Sequence, residues 1–135
     1  MDMIALQVDL IRDEGKRNEM YTDSVGVPTI GIGHNLNNPI SDHAVHVIFE
    51  TDIREVLLDL DINLPWYRSM SDARQRAVAN MCFNMGIAKL MEFHKALNAL
   101  KSGAWEVAAD EMLASKWAVQ VGSRADRLAQ MVRQG

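Results

Sequence analysis

One cysteine, Cys82, stands in 135 residues, which excludes an intrachain disulfide. Between Met81 and Phe83 in an apolar pattern, its thiol is expected in the core. No Cys/His cluster has metal-ligand spacing, so no metal and no other cofactor is expected. No apolar run approaches the roughly 20 residues that span a bilayer, so stable membrane insertion is not expected either. Asp2 and Asp9 interrupt the apolar residues of an N-terminus that lacks a cationic leader, which argues against a secretory signal. Repeats and low-complexity tracts are absent. So are cationic runs and nucleic-acid-binding motifs, which leaves no nucleic-acid partner to expect.

What is present points to a single globular domain with an ordinary apolar fraction of 48%. The informative stretch runs from Arg12 to Asn35, RDEGKRNEMYTDSVGVPTIGIGHN. Upstream of it, Met3, Leu6 and Leu10 recur at helical spacing behind Asp2, an N-cap, and Gly15 stops the helix. Glu14 then sits in the last turn, where the negative end of the helix dipole disfavours its ionised form. Asp23-Ser24-Val25-Gly26 has the Asp and Gly positions of a type I turn. Strand-like residues flank it, Met20-Tyr21-Thr22 on one side and Val27 to Ile32 on the other. Asp23 is therefore expected at a solvated hairpin tip, and Thr29 on the returning arm is expected to come back near it.

A neutral acid and an ionised carboxylate are the pair that glycoside hydrolysis requires. Two carboxylates and a threonine in one window also describe an ordinary solvated surface, and spacing alone does not choose between the two.

The pattern Glu-x8-Asp-x5-Thr, followed at once by Ile-Gly-Ile-Gly-His, resembles the phage-type lysozymes, the endolysins of glycoside hydrolase family twenty-four. The resemblance implies that Glu14 is the acid, Asp23 the base and Thr29 the residue that orients water. It implies an α+β, mostly helical fold, in which a small lobe with a β-hairpin is joined by a long helix to an all-α lobe. Within one domain of residues 1–135, the small lobe covers about 12–50 and the linking helix about 41–63. The helical lobe takes about 66–135 together with the N-terminal helix, and the sugar cleft lies between the lobes. The implied substrate is the β-linkage between N-acetylmuramic acid and N-acetylglucosamine in bacterial peptidoglycan. A monomer made in the host cytoplasm, reaching the wall through a holin-type membrane partner, completes the expectation.

The rest of the chain extends the resemblance. Ser41 is an N-cap for a long helix ending near Asn63, with Val45, Phe49, Ile53, Val56, Leu57 and Leu60 on its apolar face. Asp52 on that helix matches a family aspartate that pairs with the histidine here numbered His34, while His43 and His46 are read as exposed. Ser71 caps a helix through Ala73, Ala77, Val78 and Met81, resembling the family's central buried helix. Phe83 corresponds to a residue lining the sugar site, although a plain core role fits it equally well, and Asn84 is a polar contact. Leu90 to Leu100 reads as one amphipathic helix stopping at Gly103, and Trp105 to Leu113 as another. Ser115-Lys116-Trp117 resembles a family Ser-Arg-Trp with Trp117 as a core anchor. Arg124, at the start of the last helix, falls where the family sets an arginine against the catalytic glutamate.

There are departures too. Asn35 stands in place of a Leu beside the substrate, Ala96 in place of a contacting Ser, and Glu111 in place of an Asn. These bear on sugar affinity, with Asn35 and Glu111 kept among the candidate substrate contacts.

Charge is divided, with a net of −8 over residues 1–65 and +4 over 66–135. A basic lobe gripping an acidic wall polymer fits this, and so do simply solvated faces. Two rival functions share much of the pattern. A lytic transglycosylase would need no water site at Asp23 and Thr29, and a non-catalytic wall-binding module would need none of the three residues.

Overall fold

A computed structural model describes all of residues 1–135. The architecture is α+β and mostly helical, with eight α-helices and one three-stranded antiparallel sheet. It divides into two compact units, Met1–Val45 and His46–Gly135.

In the first unit, α1 (Met3–Glu14) starts as the caps dictate. The Asp2 carboxylate accepts the amides of Ile4 and Ala5, both at 3.0 Å. The helix ends where the Gly15 amide donates to Ile11 at 2.9 Å. The helix belongs to the first unit, and none of its residues is buried.

Strands β1 (Arg17–Thr22), β2 (Pro28–Gly31) and β3 (His34–Asn35) pair in that order. The β1–β2 register sets Thr22 against Pro28 and Tyr21 against Thr29, with an irregularity between Tyr21 and Arg17. β3 was not expected. It sets Asn35 against Thr29 and His34 against Ile30, so the Gly-Ile-Gly-His segment is a second tight hairpin.

Helix α2 (Asp42–Asn63) begins at Ser41, whose hydroxyl accepts the Ala44 amide at 3.2 Å. Its apolar face is buried at the C-terminal end alone. Leu60 is fully buried and Val56 and Leu57 partly, whereas Val45 and Phe49 each stay 49% exposed. Periodicity reports which residues share a face but not how far along the helix that face is covered.

The second unit continues with a short 3-10 turn at Tyr67–Ser69, then α3 (Asp72–Met85), α4 (Ile87–Leu90), α5 (His94–Ser102), α6 (Trp105–Leu113), α7 (Lys116–Val121) and α8 (Ser123–Gln134). Ser71 and Ser115 cap α3 and α7 through their hydroxyls. The helix expected over Leu90 to Leu100 is broken at Met91–Phe93. There the amides of Glu92 and Phe93 bond only three residues back, and Phe93 stands edge-on to Trp117, 6.4 Å between ring centres. No Gly or Pro marks the break.

The core forms where α6 packs on α5 and α8, and α8 on α3. Ala108, Ala109, Met112, Ala77, Val78 and Val132 are completely buried there. The small alanines let the helix axes approach. Cys82 is buried as expected, which pushes its thiol pKa up, since burial penalises the thiolate first of all. Trp117 is a core anchor at 6% exposure.

Candidate active site

Three residues expected to carry chemistry lie on the first unit, and local backbone geometry explains the position of each. Asp23 opens the turn that joins β1 to β2. Its carbonyl accepts the Gly26 amide at 3.1 Å, and its own amide donates to the Val27 carbonyl at 2.9 Å. One carboxylate oxygen, Oδ1, accepts the amides of Val25 at 2.9 Å and Val27 at 2.8 Å. Two fixed donors on one oxygen hold the group in place and leave Oδ2 without a protein partner.

Thr29 is the buried polar residue of this unit, 4% exposed. Its hydroxyl donates to the Val27 carbonyl at 2.9 Å, the same oxygen that receives the Asp23 amide. The Val27 carbonyl thus gathers Asp23 and Thr29 on one atom. Because the Thr29 hydrogen is already committed, its oxygen offers lone pairs and can accept a hydrogen from water. Val27 was not expected to take part, and the two hydrogen bonds to its carbonyl reveal it.

Glu14 is exposed at the C-terminal end of α1. Its neighbour Arg12 is occupied by Asp13 at 2.9 Å and Asp9 at 3.1 Å. The Glu14 side chain instead lies against Gly33, so closely that a Cβ there would stand 2.8 Å from Glu14 Oε2. Asn35 on β3 turns its side-chain oxygen to the Asn37 amide at 2.8 Å. His34 is half-buried, and its Nε2 has no hydrogen-bond partner.

The remaining candidates lie on the second unit. Phe83 is 43% exposed and edge-on to Phe49, with ring centres 6.0 Å apart, so the plain core reading does not hold. It lines a hollow of about 710 Å³ together with Ile53, Asn80 and Arg124. Arg124 donates to the Asn80 side chain at 2.8 Å and to its carbonyl at 3.4 Å. Asn84 accepts the Trp117 indole N–H at 3.0 Å, which leaves its amide hydrogens and one lone pair of that oxygen for another partner. Glu111 and Ala96 line a separate hollow of about 460 Å³. Asp52 is exposed on α2, as are His43 and His46. No group of His, Cys, Asp and Glu side chains is arranged to hold a metal ion.

A carboxylate at a helix end, a second carboxylate fixed by amides, and a hydroxyl beside it free to accept from water form the set that hydrolysis of a glycosidic bond uses. The phage lysozyme family matches residues 12–134. The chain belongs to that family. It has the family's lysozyme-like fold and is a glycoside hydrolase, a muramidase-type enzyme of cell-wall degradation. The pre-baseplate central spike protein Gp5 of Enterobacteria phage T4 is 30% identical over 93% of this chain, which spans 27% of the spike protein's length. Probable T4-type lysozymes 1 and 2 of Dictyostelium discoideum are each 27% identical, covering 98% of this lysozyme and 96% of their own length. No helix of the lysozyme is long and apolar enough to cross a membrane.

Proposed function

We propose that this lysozyme is an endolysin that cleaves the β-linkage between N-acetylmuramic acid and N-acetylglucosamine of peptidoglycan, with inversion at the anomeric carbon. The observation that carries the reading is the Val27 carbonyl, which ties the base and the hydroxyl to one point. Glu14 gives its proton to the leaving oxygen as the bond from the anomeric carbon breaks. A water attacks from the opposite face, passing one hydrogen to Asp23 Oδ2 while Thr29 Oγ1 accepts the other as a hydrogen bond. The new carbon–oxygen bond comes from that water, and solvent returns Glu14 and Asp23 to their starting protonation states. General acid and base assistance of this kind supply about 10²–10⁴-fold each.

In this reading Asn35, Phe83, Asn84 and Glu111 contact the sugar chain, and His34, Asp52 and Arg124 organise the site. A monomer without cofactor, it is made in the host cytoplasm and reaches the wall when a holin-type partner permeabilises the membrane. Likeness to a stretch of a central spike protein supports a second setting, in which the same chemistry is carried on a virion. Comparing lysate supernatant with purified virions by quantitative mass spectrometry separates the two settings.

Mass spectrometry of products made in ¹⁸O-water tests the reaction itself. Hydrolysis puts one labelled oxygen on each new reducing end. Unlabelled anhydro-sugars would make the protein a transglycosylase and leave Asp23 and Thr29 without their role.

A further inference from the structure

The geometry points to Gly33 as a positioning residue, whose missing side chain is the seat of the Glu14 carboxylate. This rests on Glu14 as the general acid. Two glycines of the second hairpin make the case by contrast. Gly31 and Gly33 have nearly the same positive φ, +69° and +66°. A Cβ built on Gly31 meets nothing within 4 Å, whereas one on Gly33 comes within 2.8 Å of Glu14 Oε2, 2.9 Å of Cδ and 3.1 Å of Cγ. Both positions therefore favour glycine for their backbone, but only Gly33 also needs to be bare. The three atoms it makes room for are the reacting carboxyl and the carbon that carries it.

The consequence is specific because of what would have to move. A methyl on Gly33 displaces the free end of a flexible, exposed side chain and not a packed backbone, so the fold loses little beyond the backbone strain. The acid, however, is pushed out of line. Misplacement of a reacting group by about 1 Å costs on the order of a hundredfold in rate. Gly33 does not touch the sugar in this argument. It acts through Glu14 alone, and its effect belongs to kcat rather than to KM.

Gly31→Ala is the matched control, with the same strain and the same turn but open space. Gly33→Ala and Gly31→Ala should lower the melting temperature by similar amounts. On a soluble peptidoglycan oligomer Gly31→Ala should keep most of its kcat. Gly33→Ala should lose ten- to a hundredfold in kcat with KM little changed. Gly33→Asn and Gly31→Asn repeat the comparison with the residue that, after glycine, best tolerates positive φ, should either alanine variant fold poorly. Equal kcat in the two members of each pair would overturn the assignment, as would a loss confined to KM. Glu14→Gln, measured alongside, keeps the two failures apart. If Glu14→Gln is active, the acid assignment has failed; if it is inactive and the glycine pairs behave alike, only the seat has failed.

Discussion

Met1–Val45 carries every residue assigned to the chemical step yet buries a single side chain, Thr29, while His46–Gly135 contains every buried hydrophobic residue. The first unit holds its geometry by other means. An N-cap, a turn closed on Asp23, two short hairpins and a carbonyl with two donors fix the positions of Glu14, Asp23 and Thr29. Such bonds are directional and net about 1 kcal/mol each, so they position groups better than they stabilise a fold. Burial does the opposite: it is roughly proportional to area and indifferent to direction. The comparison teaches that positioning and stability are separable here, and substitutions on the two sides should differ in kind.

The largest expected effect is on the first unit. Glu14→Gln should lower lysis at least a hundredfold, and Asp23→Asn by a similar factor, with melting temperatures near wild type. The amide oxygen of Asn can still accept the Val25 and Val27 amides, so the turn survives while the base is lost. Turbidity loss of purified peptidoglycan and a thermal melt of each variant check both halves. Activity above a tenth of wild type would remove the variant residue from the mechanism.

Next in size is the core. Leu60 is fully buried, and Leu60→Ala should cost about 2–5 kcal/mol by lost burial and an unfilled cavity. Denaturant unfolding reads the loss, and kcat per folded molecule should stay at the wild-type value. A fall in that kcat would break the comparison, because it would mean that the core also tunes the chemistry.

A smaller effect is expected at Trp117, whose N–H reaches Asn84 Oδ1. Asn84→Ala leaves that indole hydrogen without its partner and should cost about 1–3 kcal/mol in denaturant unfolding. Trp117→Phe removes donor and bond together, so in that background Asn84→Ala should cost much less. An undiminished cost there would separate Asn84 from Trp117.

The smallest effect is electrostatic. The Arg68 guanidinium, bonded to Asp61 at 2.7 Å, lowers the Asp61 carboxyl below its ordinary 3.8. A depressed folded-state value contributes stability above the unfolded pKa and loses it as pH falls through the folded one. Both side chains are exposed, so the contribution is slight and screened by salt. Asp61→Asn should lower the melting temperature slightly at neutral pH and low salt, with the gap closing below pH 3.8. A gap that persists in strong acid would assign it to packing.

What could be read from the sequence was local. Asp2, Ser41 and Ser71 were legible as caps because a cap and its amides lie within three residues. The turn at Asp23–Gly26 was legible for the same reason. The break at Met91–Phe93 was not, since the apolar spacing of Leu90, Leu97 and Leu100 runs through it unchanged. Nor was β3, only two residues long. Contacts between distant residues were out of reach: Asn84 with Trp117 spans 33 positions and Arg124 with Asn80 spans 44. The Gly-Ile-Gly-His motif was visible, but it pointed to His34; the contact of Gly33 with Glu14 needs coordinates.

The central claim is that Asp23 and Thr29 share a water and that Asp23 does not attack the sugar. Water between the carboxyls requires them roughly 6.5–9.5 Å apart, against about 5–5.5 Å for direct attack. Proton NMR of a soluble peptidoglycan oligomer, recorded in the first minutes of digestion before mutarotation, reads the outcome directly. Inversion of the β-linkage predicts that the α-anomer appears first. The β-anomer appearing first, or a glycosyl ester trapped on Asp23, would contradict the account.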